Sequence, residues 1–335
     1  MIYFTAISLL LFLEGSEKMA EKSKRILMYD KEKLGHINPE TLKLFQKYQI
    51  DMSIRDLSHN SIQQYNSDLR QWFIYMYDNQ FNLSVLEATD EDIEEYFYWR
   101  KEQGNNVNRQ KRVMASVSAF YKFLRKKKLI KESPTEFLER PKQGMAIIKQ
   151  TFLNVDQVNL LREKLEENGD IQLQTYIMFG LSTMARVNAM SHLKWEQVDL
   201  DERMCNDVLE KEQKVVDLYF SPEVEQLLRK LKKYREENNI NDFGWVFITP
   251  HVTETQCIQN STLNDWCKKA GKMIGVPTLH NHDLRHSGSN ILKELGMDIQ
   301  DIAELLHHES TETTVRHYLT VNKKKVKENK DKFTF

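Results

Sequence analysis

Cysteine, proline and glycine are scarce in this chain: 3, 6 and 11 of them among 335 residues. Cys205, Cys257 and Cys267 are odd in number, widely spaced and never arranged as C-x-x-C. That excludes a disulfide framework and a thiolate zinc site, and points to a reducing compartment. So little glycine and proline excludes linker-rich or fibrous architecture and favours helix over turn-dense β structure. Long apolar runs are also lacking. The run from Ile2 to Leu13 falls short of the roughly 20 residues that cross a bilayer, and it has neither the basic flank nor the small-residue cleavage site of a signal peptide. Met19-Ala20-Glu21-Lys22 reads as an ordinary soluble start, so translation is expected from Met19 and no membrane partner is expected. A membrane or partner anchor at the N-terminus is the alternative.

What is present is 40% hydrophobic and 29% charged residues, ample for real cores in a length suited to about two domains. The net charge of -1 argues at first against a polyanionic partner. The charge is segregated, however: residues 101 to 150 carry 13 Lys and Arg against 4 Asp and Glu, while Glu163, Glu166, Glu167 and Asp170 crowd together elsewhere. A polyanion responds to the local field, not to the chain total.

Helical periodicity runs from about Ile37 to Arg140, predicting an all-α domain over 37–140 behind an N-terminal extension, 1–36. Ser58 suits the cap of a helix with Ile62, Tyr65, Leu69, Trp72, Phe73 and Met76 at helical spacing, and Thr89 with Asp92 resembles a capping box. A further helix is expected from Asn106 to Lys127, burying Val113, Val117, Phe120, Tyr121 and Leu124. It carries Arg109, Lys111 and Arg112 near its start and Arg125, Lys126 and Lys127 at its end. A charge run is ordinarily a solvated face. Here Asn105, Asn106, Asn108 and Gln110 interleave with the cations, a mixture able to meet phosphates and base edges, so these six cations are candidate DNA-binding residues.

Pro134 and the stretch Arg140 to Gly144 break the pattern, and 141–150 reads as a linker. A second domain, 151–320, should hold helices near 154–167 and 171–182, then a hairpin from Val208 through Glu210-Lys211-Glu212-Gln213 to Val215–Phe220. A helix opened by Ser221-Pro222, a short strand at Trp245–Ile248, a helix from Leu263 to Ile274 and a helical C-terminal third follow, with a basic tail over 321–335. The expected class is mainly α with a small β-sheet in the second domain.

Four features of that domain suit an anionic phosphodiester: Arg186; Lys211 in the hairpin turn; His282-Asp283-Leu284-Arg285-His286; and His307-His308 followed by Tyr318. Two arginines can grip non-bridging oxygens, histidines can donate, a lysine can protonate a leaving alkoxide and a tyrosine can act as nucleophile. Taken singly, Arg186 is an ordinary salt-bridge residue, Lys211 a turn lysine and Tyr318 an aromatic anchor. The histidines lack H-E-x-x-H and any cysteine partner, so neither metal nor cofactor is expected.

In this order and spacing the set resembles the tyrosine recombinases, or phage integrases, over roughly residues 40 to 320. The family's H-x-x-R is His282-Asp283-Leu284-Arg285, with the frequent next histidine at His286; its first arginine and following L-x-W match Arg186 and Leu193-Lys194-Trp195; its L-L-G-H matches Leu305-Leu306-His307-His308. Lys211 matches the hairpin lysine, with Lys214 a close competitor. The resemblance implies a helical core-binding domain and a catalytic domain clamped around double-stranded DNA. It also implies a 3′-phosphotyrosyl intermediate formed by Tyr318, phosphate stabilisation by Arg186, Arg285, His282 and His308, and Lys211 as general acid. A homo-oligomer on DNA, tetrameric for strand exchange, in the cytoplasm of a bacterial or phage-infected cell, belongs to the same expectation, as does origin in a phage or mobile element.

Two positions depart from the family pattern. The acidic residue usual three places after the first arginine is Ala189. The slot expected for the nucleophile after Thr313-Thr314 holds His317, with Tyr318 one place late, which on a helix is about 100° and 1.5 Å. An active enzyme then needs local unwinding before Tyr318. The alternative is a catalytically silent DNA-binding protein of this fold, such as a phage repressor, for which a dimer would serve.

Overall fold

The computed structural model describes residues 30–142, 152–210, 214–308 and residue 311. The apolar stretch 2–13, most of the 141–150 linker, Lys211, His317, Tyr318 and the tail 321–335 lie outside the described residues. The chain divides into two compact units, Met1–Ile147 and Ile148–Phe335.

The first unit is helical: α1 Lys31–His36, α2 Pro39–Ile54, α3 His59–Asn79, α4 Asp90–Glu102 and α5 Val107–Lys126. Polar side chains mark the starts. Asn38 accepts from the amides of Glu40 and Thr41 ahead of Pro39, Ser58 accepts from Ser61, Thr89 and Asp92 form a reciprocal capping box, and Asn106 accepts from Arg109. Each satisfies amides that the helix itself cannot. Trp72 and Phe73 of α3 and Val113, Val117, Phe120 and Tyr121 of α5 share one buried core. Rings meet edge-on there, Tyr48 with Phe120 at 5.3 Å and Phe73 with Phe120 at 5.9 Å, the arrangement that aromatic quadrupoles favour.

The second unit holds α6 Val155–Asn168, α7 Ile171–Thr183, α8 Val187–Ser191, β1 Val198–Asp199, β2 Met204–Leu209, β3 Val215–Tyr219, α9 Pro222–Glu237, α10 Asn260–Met273, α11 Asn281–Glu294 and α12 Ile299–Leu305. The three strands form one antiparallel sheet in sequence order. The protein is thus mainly α with a small sheet in this unit, as its periodicities predict.

α7 is apolar nearly all round and is the hub of the unit, with Leu173, Tyr176, Ile177, Phe179 and Leu181 buried and α9 and α11 packed against it. Two glycines let α7 and α11 approach: a Cβ on Gly288 would lie 2.3 Å from the Leu181 carbonyl oxygen, and one on Gly180 would lie 2.9 Å from Leu284.

Trp245–Ile248 is not a strand. It makes only an isolated bridge between Trp245 and Lys194. The buried Arg235 guanidinium donates to the carbonyls of Trp245 and Val246 at 2.9 and 2.7 Å, and the Val246 amide donates to Leu193. Backbone groups satisfied in this way need no partner strand. Among the described residues no helix is long and apolar enough to cross a membrane.

Candidate active site

α7 ends at Met184, a fully buried residue in the left-handed region at φ 54°. That conformation costs a residue with a Cβ roughly 1–2 kcal/mol, so its surroundings must hold it. Arg285, itself 1% exposed, does so by donating from Nη1 to the Met184 carbonyl at 2.6 Å. The sharp turn delivers Arg186 as N-cap of α8, where its side chain makes no capping bond and instead pairs with Glu210 at the end of β2.

The other fork nitrogen of Arg285 donates to the Leu306 carbonyl, immediately before a second left-handed residue, His307 at φ 50°. It also lies 3.3 Å from His308 Nε2. A guanidinium only donates, so in that contact Nε2 accepts and neutral His308 carries its proton on Nδ1. One buried arginine therefore ties the turn that presents Arg186 to the turn that presents His308.

His282 sits in the first turn of α11 and His286 one turn later, their rings 5.5 Å apart. Burial, then the charge of Arg285, lowers the basicity of His282. Burial and the neighbouring His282 push His286 down to about 4, and burial with Arg285 and Arg186 pushes His308 down to about 4. These imidazoles are neutral near pH 7 and can donate a hydrogen bond without adding charge. Burial by itself would raise the carboxyl of Glu210, but His307, Arg186 and Arg285 outweigh it and hold that carboxyl below the ordinary glutamate range. Arg186 and Arg285 stand with two buried carboxylates, Glu210 against Arg186 and Asp283 against His280 at the start of α11, and of the two guanidiniums Arg186 is the one that reaches solvent. Lys214 Nζ donates to the His307 carbonyl at 3.3 Å, which brings the competitor of Lys211 to the edge of the cluster. Among the described residues no three His, Cys, Asp or Glu side chains are gathered as metal ligands.

In the first unit the three arginines of α5 have internal partners. Arg109 and Arg112 each place Nη2 3.0 Å from Oδ1 of the buried Asp68, whose other oxygen accepts from Ser116 at 2.8 Å. Burial pushes the Asp68 carboxyl up, with Ser116 and Arg112 opposing. Arg125 pairs with Glu136 at 3.0 Å, Lys127 lies 5.8 Å over the Phe123 ring, Lys126 is exposed and Lys111 half-buried.

Sequence reasoning missed Glu210, reading it as one residue of a polar turn. The sequence holds no alternation to reveal it, since Val208 and Leu209 are both apolar; in the structure Val208 is buried and Leu209 exposed, and that alternation turns Glu210 inward.

Residues 151–325, just over half of the chain, match the phage integrase family, and residues 45–128 match the phage integrase N-terminal SAM-like domain. The chain belongs to the phage integrase family of tyrosine recombinases. It is 29% identical over 300 residues to the tyrosine recombinase XerC of Leptospira interrogans, covering 86% of this chain and 91% of that one. With the tyrosine recombinase XerD of Halalkalibacterium halodurans it shares 27% identity, covering 78% and 87% of the two chains. Its fold is similar to that of the XerH site-specific recombinase bound to palindromic difH substrate, at TM-score 0.68 and 17% identity, covering 83% and 81%. It is also similar to a lambda integrase dimer bound to a COC′ core site, at TM-score 0.61 and 15% identity, covering 80% and 95%.

Proposed function

We propose that this protein cuts and rejoins duplex DNA at specific sites within a phage or other mobile element. In this reading the Tyr318 hydroxyl loses its proton as it attacks a backbone phosphorus; the bond from phosphorus to the 5′-oxygen breaks, leaving a 3′-phosphotyrosyl ester, and Lys211 gives a proton to the departing 5′-oxygen, which leaves as a 5′-hydroxyl. One ester replaces another of similar energy, so rejoining needs no nucleotide. Arg186, Arg285, His282 and His308 hold the charge of the pentacoordinate phosphate. The observation that carries this reading is the Arg285 fork, which draws His308 and the turn bearing Arg186 to one cluster. Strand exchange between paired sites would take four protomers.

The test is a nicked duplex carrying a site that the protein selects from a randomised pool, incubated and then denatured. A covalent protein–DNA adduct is expected from the native chain and from His317→Ala, and none from Tyr318→Phe. Tight, specific binding without adduct would establish the silent DNA-binding reading instead, which the one-place offset of Tyr318 favours.

Helix α5 is proposed to lie against the DNA backbone. Asp68 offsets part of its charge but leaves the cluster of Arg109, Lys111 and Arg112 net positive and holds the two arginines in place. Changing all three to glutamine should flatten the slope of log affinity against log salt by about 0.9 per lost phosphate contact. An unchanged slope in filter-binding titrations would remove α5 from the interface.

A further inference from the structure

We infer that Glu210 is the positioning residue of Arg186, supplying from the sheet the carboxylate that α8 lacks; the inference rests on the recombinase reading of this site. Arg186 stands at the N-cap of α8, whose first turn holds no acidic residue and whose Ala189 is fully buried. A guanidinium on a turn, with no anchor, samples several rotamers, and an arginine that must meet one phosphate oxygen needs its aim fixed beforehand.

The anchor comes from across the fold. Glu210 Oε2 accepts from Arg186 Nη1, and the pair is asymmetric: the glutamate side chain is 1% exposed and the arginine side chain 29%. The carboxylate thus lies on the interior side and the guanidinium between it and solvent. Only Nη1 is used in that contact, and a guanidinium has further donors on Nη2 and Nε for an anion arriving from the open side. The backbone that carries the carboxylate is held, the Glu210 amide donating to the Lys214 carbonyl at 2.8 Å, while Oε2 meets Arg186 and stands 3.8 Å from His307 Nδ1 and Oε1 has no hydrogen-bond partner among the described residues. A buried charge is costly unless paired, so this glutamate is stable only with Arg186 beside it.

A carboxylate among arginines could instead be a stand-in for phosphate that leaves when DNA enters. Its burial and its place behind the guanidinium argue for an anchor that stays. The two roles predict opposite signs for Glu210→Gln, which keeps the shape and removes the charge.

Two measurements on the full chain decide it. The first needs no DNA: guanidinium-selective NMR with labelled arginine, the Arg186 signal assigned by its loss in Arg186→Lys and spectra recorded below the melting transition of each variant. Rotation about the Arg186 Nε–Cζ bond should be slow in the native protein, at least several-fold faster in Glu210→Gln, and slow again in Glu210→Asp. Equal rotation in the native protein and Glu210→Gln would overturn the inference. The second is single-turnover adduct formation at saturating DNA, where Glu210→Gln should be slower by about 10- to 100-fold with affinity little changed. Arg186→Lys combined with Glu210→Gln should then be no slower than the worse single variant. Faster cleavage or tighter binding in Glu210→Gln would show the carboxylate to be an obstacle, and the inference would fall. If the native chain forms no adduct, the cleavage reading fails and bond rotation alone decides the role of Glu210.

Discussion

Arg285→Ala is expected to destabilise the C-terminal unit by about 3–5 kcal/mol, the usual cost of removing one partner from a buried charged network. The residue is 1% exposed and its fork satisfies two carbonyls, Met184 and Leu306, each at or beside a left-handed turn. Alanine would leave both carbonyls without that donor, open a cavity, and withdraw one of the charges that keep Glu210 ionised. Thermal denaturation should report a loss of about 2–4 °C per kcal/mol for a unit of this size. Adduct formation should vanish along with stability. Arg285→Lys preserves the charge but cannot reach two carbonyls at once, so it should recover part of the stability and little of the cleavage. A melting temperature unchanged in Arg285→Ala would mean that the two turns hold their shape unaided.

Gly288→Ala should be damaging although it adds a single methyl group. The new Cβ would lie 2.3 Å from the Leu181 carbonyl oxygen and 2.8 Å from Met184 Cγ. Backbone cannot swing aside as a side-chain tip can, so α11 must move away from α7, at a cost of about 1–3 kcal/mol or more. Arg285 sits one turn earlier on the same helix, and that movement pulls its fork from the Met184 carbonyl. Cleavage is therefore expected to fall by about 100-fold, the scale of a 1 Å displacement. A variant that melts and cleaves like the native chain would show that the crossing has slack.

Where a rule acts over a few residues, it could be read directly from the chain. Ser58, Asn106 and the Thr89–Asp92 box cap the helices for which their chemistry suits them, and Val113, Val117, Phe120, Tyr121 and Leu124 are buried as their spacing requires. The rule fails where a distant side chain replaces a local partner. Trp245–Ile248 has the composition of a strand, but Arg235 takes its carbonyls. Arg109 and Arg112 were named as candidate DNA-binding residues from a local run of cations, and only the fold brings Asp68, some forty residues earlier on α3, between them.

The same boundary runs through the site. Arg186, His282, Arg285 and His308 were named as candidates from local motifs, and the structure places His308 against Arg285. Ala189 reads as the loss of an acidic partner for Arg186, yet the structure holds Glu210 against that arginine from another element. Helix periodicity, caps and the segregation of charge were determined by the sequence itself, since they depend on side chains within a turn or two of one another. Which carboxylate meets which arginine was decided only by the tertiary structure, because a buried charge is tolerated where folding happens to place its counter-charge.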